Sequence, residues 1–536
     1  MNIKNMNMRR LLGICSLLGF TTMFTVCSRP RHRADQAGVA EAEAIVCPKI
    51  WDEKELATWA TPVAGLGVRP GHFSEAEYYA APIVNLRTYP VYHPKFEPPD
   101  YREWIKSQGP QRLIEPEKLK TKADWIEAGR VVFEGLSSPG FSTSDPAVLA
   151  FLSDADAIEA HDDIVTKDGH VFSYRWVVDQ SGELKVTSAA CAGCHHLVLP
   201  DKRLVYGPGP GNPPQEDKPA SPVMAALMAT PAAIASFSST DKAVVPRHSE
   251  GEVFYSYFGV PWVAGDEHAR FKTMSDEDVV AWFSNNETEL GGTEARLNGS
   301  PFYTTRIADL LGVRHRRYLD ATATHANRGP EDIARYGILV EYADNFVFGP
   351  HKLEFPERMK VTARAPDEAL YAMGLYLYSL EPLPSPHPFN EQAQRGQKIF
   401  EAEGCTECHT PPIYTNNKLV AAPGFVPPVD NPATQRLDVS IRRVGTDPGL
   451  ALKTRKGTGY YKIPSLRGLW YRGLYEHSGS VSSLEDWFDP KRLRDDYVPS
   501  GWKGPGVKTR AVPGHKFGHD LPDEDKKALI AFLKTL

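Results

Sequence analysis

Methionine is scarce in this chain, 9 in 536 residues, and none follows Met373. The C-terminal part therefore has no thioether to offer a metal. Charge of one sign is lacking too: 61 Lys and Arg stand against 67 Asp and Glu, a net charge of −6. No basic run points to nucleic acid, and no acidic tail points to a basic partner. The main apolar run is Leu11 to about Val26, behind Arg9 and Arg10, and no later segment is long and apolar enough to span a bilayer. That run is short and broken by Gly13, Gly19, Thr21 and Thr22, so residues 1–29 read as an export signal, with a membrane anchor as the alternative. A disulfide framework is also missing. Of seven cysteines, Cys15 and Cys27 fall in or beside the leader and Cys47 has no evident partner. Lipidation at Cys27 is a minority alternative, disfavoured by the bulk of Val26 before it.

The remaining four cysteines form two pentads, Cys191-Ala-Gly-Cys194-His195 and Cys405-Thr-Glu-Cys408-His409. Each reads as a covalent c-type haem site. The two thiols add across the two vinyl groups of the macrocycle, and the next residue, a histidine, reaches the iron from the proximal side. A redox Cys-x-x-Cys pair does not need that histidine. A four-ligand zinc site would want the two pairs close together, and here they are far apart in the chain. Two covalent haem c groups are expected, with His195 and His409 as proximal ligands. Export fits, because such haem is attached outside the bacterial cytoplasm; a periplasmic or secreted location follows.

The length suits about two to four domains, and 41 % hydrophobic with 24 % charged residues is ordinary for a globular protein. Residues 30–120, rich in Pro, Tyr and Trp beyond the leader-proximal part, are expected to be an irregular segment wrapping the first haem domain. Trp51, Trp59, Tyr78, Tyr79 and Trp104 need burial. An internal echo follows: Gly129-x-x-x-Phe133 lies in an amphipathic stretch from Lys122, and Gly396-x-x-x-Phe400 in one from Asn390, a plausible N-cap. The second stretch runs straight into its pentad. Before the first pentad a β-meander is expected: Asp163–Thr166, a turn at Asp168-Gly169, Val171–Val178, a turn at Asp179–Gly182, then Glu183–Thr187. A helix over Ala365–Leu380 ends at the proline-rich stretch Pro382–Pro388, and a last helix over Asp523–Leu536 shows Leu529, Ile530, Phe532 and Leu533 on one face. The expected fold is mainly α. It has two cytochrome c domains, 121–381 with a β-meander insertion and 389–536, behind a long N-terminal wrapping segment.

The ligand on the far side of each iron decides its chemistry: a second strong ligand makes an electron carrier, an open position a site for peroxide or dioxygen. In the second domain His/Met ligation is excluded. His515, between glycines in Pro513-Gly514-His515-Lys-Phe-Gly518, is the expected ligand, with His477, His519, a tyrosine or no ligand as alternatives. For the first iron, Met224, Met228, Met274, Met359, His248, His268, His315 and His325 stand in no telling context, and an open or weakly ligated position is expected. Leu297–Arg306 and His325–Gly329 are candidates to line its pocket, with an Arg for the haem propionates. Trp262 and Trp282 are candidates for an aromatic between the haems, though plain core is the more ordinary reading. Glu287 and Glu289 are candidates for a distal acid or base, against the ordinary reading as surface carboxylates. No catalytic residue is assigned.

Ile463-Pro464-Ser465-Leu466-Arg467-Gly468, followed by Tyr475-Glu-His477-Ser-Gly479 and Leu484-Glu485, resembles the bacterial dihaem cytochrome c peroxidase and MauG superfamily. The resemblance covers roughly 120–536. The peroxidases usually place a Met ligand shortly after the His-x-Gly turn; here that stretch reads Trp487-Phe-Asp-Pro-Lys-Arg-Leu. Phe488-Asp489-Pro490, Gly514-His515-x-Phe517-Gly518 and the long N-terminal wrap look more like the dihaem rubber-oxygenase-like branch, which has two His on the second haem and a dioxygen-binding first haem. The resemblance implies an oxidoreductase whose first haem meets peroxide or dioxygen and whose second relays electrons. A small redox protein or an organic substrate would be its partner. A non-catalytic dihaem electron-transfer protein is the alternative.

Overall fold

The computed structural model describes residues 45–137, 142–160, 165–209, 248–286, 292–296, 298–341, 347–352, 363–428 and 437–536, with single residues at 223, 226, 288 and 361. Two helix pairs frame it. Lys122–Gly135 packs on Asp367–Ser379, and Glu391–Ala402 packs on Asp523–Lys534. The caps are those the local sequence supplies. Thr121 and Asp124 form a capping box, and the Asn390 side chain accepts the backbone N–H of Ala393 at 3.0 Å. Asn390→Ala should therefore cost about 1 kcal/mol of stability, measurable as a lowered midpoint in chemical denaturation.

Within each pair one glycine lets the backbones meet. A Cβ on Gly129 would lie 1.9 Å from the Ala372 carbonyl oxygen and 2.8 Å from the Cβ of Tyr376. A Cβ on Gly396 would lie 1.9 Å from the Ala528 carbonyl oxygen and 2.8 Å from the Cβ of Phe532. The same contact is made twice. The echo Gly-x-x-x-Phe is one side of it; Ala372-x-x-x-Tyr376 and Ala528-x-x-x-Phe532 are the other, too plain a pattern to stand out in the sequence.

Around the second pair, Leu529, Ile530, Phe532 and Leu533 are buried with Phe400, Leu469 and Phe488. Around the first, Trp125, Val132 and Phe133 pack with Leu370, Met373 and Leu377, and Trp51, Trp59 and Tyr78 enter from the N-terminal segment. Trp104 does not join them and stays 49 % exposed. The segment expected to be irregular contains helices Glu53–Trp59, Glu75–Ala80 and Tyr101–Gln108 and the strand Thr88–Tyr92. Each is too short to show a period, and the first two are held by side-chain caps from Asp52 and Ser74.

Among the described residues helix outweighs strand, 36 % against 12 %. The hairpin His170–Val178 with Leu184–Ser188 forms as expected. The Asp179 carboxylate accepts the N–H groups of Ser181 at 2.9 Å and Glu183 at 3.1 Å in its turn. Positions 163 and 164 of the expected first strand lie outside the described residues, and Val165 makes a single bridge to Val171. The sheet is instead completed by Thr88–Tyr92 on one side and Ser142–Thr143 on the other, all antiparallel. Both come from distant sequence, so no local signal announces them.

Candidate functional site

The second pentad follows directly from its helix. Glu391–Ala402 stops, Gly404 takes a left-handed φ of 71°, and Cys405–Glu407 winds one tight turn. The His409 N–H then bonds the Cys405 carbonyl at 2.8 Å. Cys405, Cys408 and His409 thereby face one cavity of about 300 Å³, walled by Phe400, Leu529 and Leu533 of the helix pair. His515 also lines this cavity. Its ring centroid lies 6.4 Å from that of His409. A metal–imidazole bond of about 2 Å puts a ring centroid roughly 3 Å from the metal. Two imidazoles sharing one ion from opposite sides thus stand about 6 Å apart, so the spacing suits a single iron between them. Burial lowers His409 to about 4 and His515 to about 3, the latter also through neighbouring His409. Both rings are therefore neutral, the form that binds metal. The Nδ1 of His515 is buried without a hydrogen-bond partner.

The other two histidines of this region are engaged. His477 stacks on Tyr461 with centroids 4.3 Å apart and contacts the Glu476 carboxylate through Nδ1. His519 directs Nε2 to the Trp487 carbonyl and to Arg492, each at 3.2 Å. His515 is held in a strained pose. Its φ is 48° and that of Gly514 is 82°. A left-handed non-glycine residue costs about 1–2 kcal/mol, so surrounding contacts must fix it.

The cavity wall carries five cations: Arg442, paired with Glu407 at 2.6 Å, and Arg306, Arg316, Lys462 and Arg472. Burial pulls Arg306 down to about 10, with Arg472 beside it adding to the effect. Burial and the neighbouring Arg316 pull Lys462 down to about 7. Asp309 stands 3.5 Å from Arg472 and 3.9 Å from Arg316. The other acid in the wall, Glu476, is taken up by His477 and Ser478. Positive charge is in surplus where burial makes it costly, and two carboxylates would balance it. A haem brings two propionates, and guanidinium groups bind carboxylates well. Thiols, opposed imidazoles and surplus cations therefore all fit a haem c. Sequence reasoning placed Arg306 at the first haem rather than here and missed Arg316, Lys462 and Arg472, which no spacing marks.

At the first pentad, the helix Ala190–Cys194 carries the two thiols and the His195 N–H bonds the Cys191 carbonyl at 3.0 Å. Cys191 lies 3.8 Å from the Met373 sulfur, and burial raises its thiol well above the ordinary value. His195 Nδ1 donates to the Ala308 carbonyl at 2.9 Å, and Ala308 is also part of the wall of the second cavity. The stretch 306–309 therefore reaches both pentads.

Several candidates take other places. Phe302 packs with Phe271, Trp282 and His268. The His325 ring lies tilted against Trp59 with centroids 4.1 Å apart, and Arg328 is bound to Asp332 and Glu55. Trp262 lies against Phe348 and His351. His268 is fixed between Asp266 at 2.6 Å and Ser300 at 2.7 Å, and His315 contacts Glu381 at 3.3 Å. Met224, Met228, Met359, Glu287, Glu289 and Leu297 lie outside the described residues.

No protein-family model matches the chain. It is 25 % identical over 161 residues to the cytochrome-c peroxidase IdrP1 of Denitromonas iodatirespirans, covering 27 % of this chain and 40 % of that protein. It is 27 % identical over 149 residues to the methylamine utilization protein MauG of Methylorubrum extorquens, covering 27 % of this chain and 34 % of that protein. Over these stretches the chain is similar to a cytochrome-c peroxidase and to MauG, which supports the resemblance to the dihaem peroxidase and MauG superfamily. Its match spans two fifths or less of the length of these superfamily members. A solved superfamily structure, the diheme peroxidase BthA from Burkholderia thailandensis, is 21 % identical over 44 % of this chain and 66 % of that one, with a TM-score of 0.20. A score that low carries no residue correspondence.

Proposed function

We propose that this protein is an exported dihaem c-type oxidoreductase of mainly helical fold, with two cytochrome c domains at about 121–381 and 389–536. The second haem is tethered by Cys405 and Cys408 and held between His409 and His515. It serves as an electron relay. The first is tethered by Cys191 and Cys194 on His195 and meets peroxide or dioxygen. Bound haem iron supplies the redox chemistry; the chain's residues tether it, orient it and set its surroundings. The observation that carries the reading is the 6.4 Å opposition of His409 and His515 across a cavity bearing both pentad thiols. His195 keeps its ring orientation and tautomer through the Ala308 carbonyl. The contacts of His268 with Asp266 and Ser300 and of His315 with Glu381 support an open first iron. Arg306, Arg316, Lys462 and Arg472 offset the propionates of the second haem. The superfamily names point to peroxide as oxidant; apolar substrate cleavage with dioxygen is the variant suggested by the sequence resemblance. Among the described residues no helix is long and apolar enough to cross a membrane.

Two measurements test this. Replacing Cys405 and Cys408 together by Ala should halve the covalent haem retained on a denaturing gel, and replacing all four pentad cysteines should abolish it. Retention of pigment by the fourfold variant would remove the covalent reading. Electron paramagnetic resonance of the oxidised protein should show one low-spin and one ligand-accepting haem. Two low-spin haems that ignore cyanide and carbon monoxide would instead make it a pure electron carrier. Turnover of hydrogen peroxide with a reduced small cytochrome, set against oxygen uptake with organic substrates, separates the two oxidants.

A further inference from the structure

Arg492 lies at the start of the chain stretch that leads to His515, and its side chain is completely buried. Among the described residues no carboxylate pairs with it. All its polar atoms are instead spent on the backbone around one imidazole. Nε donates to the Trp487 carbonyl at 2.8 Å and Nη1 to that of Val512 at 2.6 Å. Nη2 donates to the carbonyls of Gly514 at 2.9 Å and His515 at 3.0 Å. The Arg492 carbonyl in turn accepts the Val512 N–H at 2.7 Å. The loop is thus gripped on its carbonyl side by one guanidinium. On the amide side, the His515 N–H is fixed by the Val444 carbonyl at 2.7 Å.

The grip extends to the ring. The guanidinium sits 4.6 Å above the Trp487 ring, and Trp487 in turn lies 5.2 Å from the His515 ring. Nη2 also lies 3.2 Å from His519 Nε2. The arginine therefore holds the backbone that bears His515, the aromatic wall beside it, and the competing histidine four residues on. Gly514 and His515 are both left-handed, at φ 82° and 48°. Without a donor for their carbonyls, a non-glycine residue in that region relaxes toward extended backbone, and the ring swings with it. Only a planar fork with donors on several edges reaches four carbonyls at once; a lysine cannot.

We propose that Arg492 is the positioning residue of the second haem: it locks the 512–515 loop so that His515, and not His519, stands opposite His409. The inference rests on the reading of His515 as axial ligand. It adds a determinant that no ligand motif contains.

The test uses the haem-loaded full chain, read by low-temperature electron paramagnetic resonance and by carbon monoxide binding to the reduced protein. Arg492→Met should lose most of the low-spin signal of the second haem, or shift its g values, and should admit carbon monoxide there. Arg492→Lys should shift the g values by less, keeping the charge but not the fork. Arg510→Met is the matched control: that arginine also bonds backbone carbonyls of this region, at Lys503 and Trp502, but not those of Gly514 or His515. It should leave the spectrum unchanged while lowering stability. Wild-type g values in Arg492→Met, with His515→Ala turned high-spin, would overturn the inference and leave the ligand reading intact. An unchanged spectrum in His515→Ala would overturn the ligand reading itself. If Arg492→Met does not fold, Arg492→Lys decides: wild-type g values there overturn the proposal and shifted ones support it.

Discussion

The His515→Ala protein is expected to keep both covalent haems and to lose the low-spin signature of one. The second haem should become high-spin and bind carbon monoxide once reduced. Its reduction potential should change as well, because the axial set is the strongest control on that quantity. The reason lies in the inventory of the cavity. His409 and His515 line one cavity with ring centroids 6.4 Å apart, while His477 and His519 are held by Glu476, Tyr461, Trp487 and Arg492. No methionine follows Met373 to replace the lost ring. The backbone strain stays, because alanine keeps the Cβ that makes the left-handed φ of 48° at 515 unfavourable. A spectrum that stays low-spin would show that another group binds the iron.

The Gly396→Ala protein should be destabilised by about 3 kcal/mol or more, at the upper end of what overpacking costs. The added methyl group would sit 1.9 Å from a backbone oxygen, that of Ala528, which cannot rotate away as a side chain does. The helices must part, and Phe400, Phe532 and Leu529 lose contacts along the haem wall. Gly129→Ala should behave the same way in the first pair, where the obstacle is the Ala372 oxygen at the same 1.9 Å. Gly193→Ala is the counterpart, because a Cβ there meets nothing within 4 Å; it should stay within about 0.5 kcal/mol. Thermal melts of the three variants, followed by circular dichroism, check this. Equal melting points for Gly396→Ala and Gly193→Ala would show that the crossing is not tight.

What the sequence made legible was whatever a local pattern encodes. The pentads, the Asn390 cap, the apolar face of Asp523–Lys534 and the turn at Asp179–Gly182 each depend on residues a few positions apart. His515 stood out by its flanking glycines and by the lack of any later methionine. The rest depends on contacts across long stretches of chain. Arg306 and Arg316 converge with Lys462 and Arg472 from two distant stretches, and an isolated Arg carries no spacing to read. The strand Thr88–Tyr92 joins His170–Val178 across a wide gap. The short helices of the N-terminal segment have too few residues for a period of 3.6 to declare itself. Arg492 was hidden for a similar reason: its partners are carbonyls, which any residue supplies.

The bond from His195 Nδ1 to the Ala308 carbonyl has a further consequence. A firmer acceptor at that nitrogen gives the imidazole more anionic character and makes it a stronger donor through its other nitrogen. Ala308 sits between Arg306 and Asp309, whose charges face the neighbouring chamber. A change of charge in that chamber would also polarise this carbonyl, so a single peptide unit would link the His195 imidazole to the charges held beside His409.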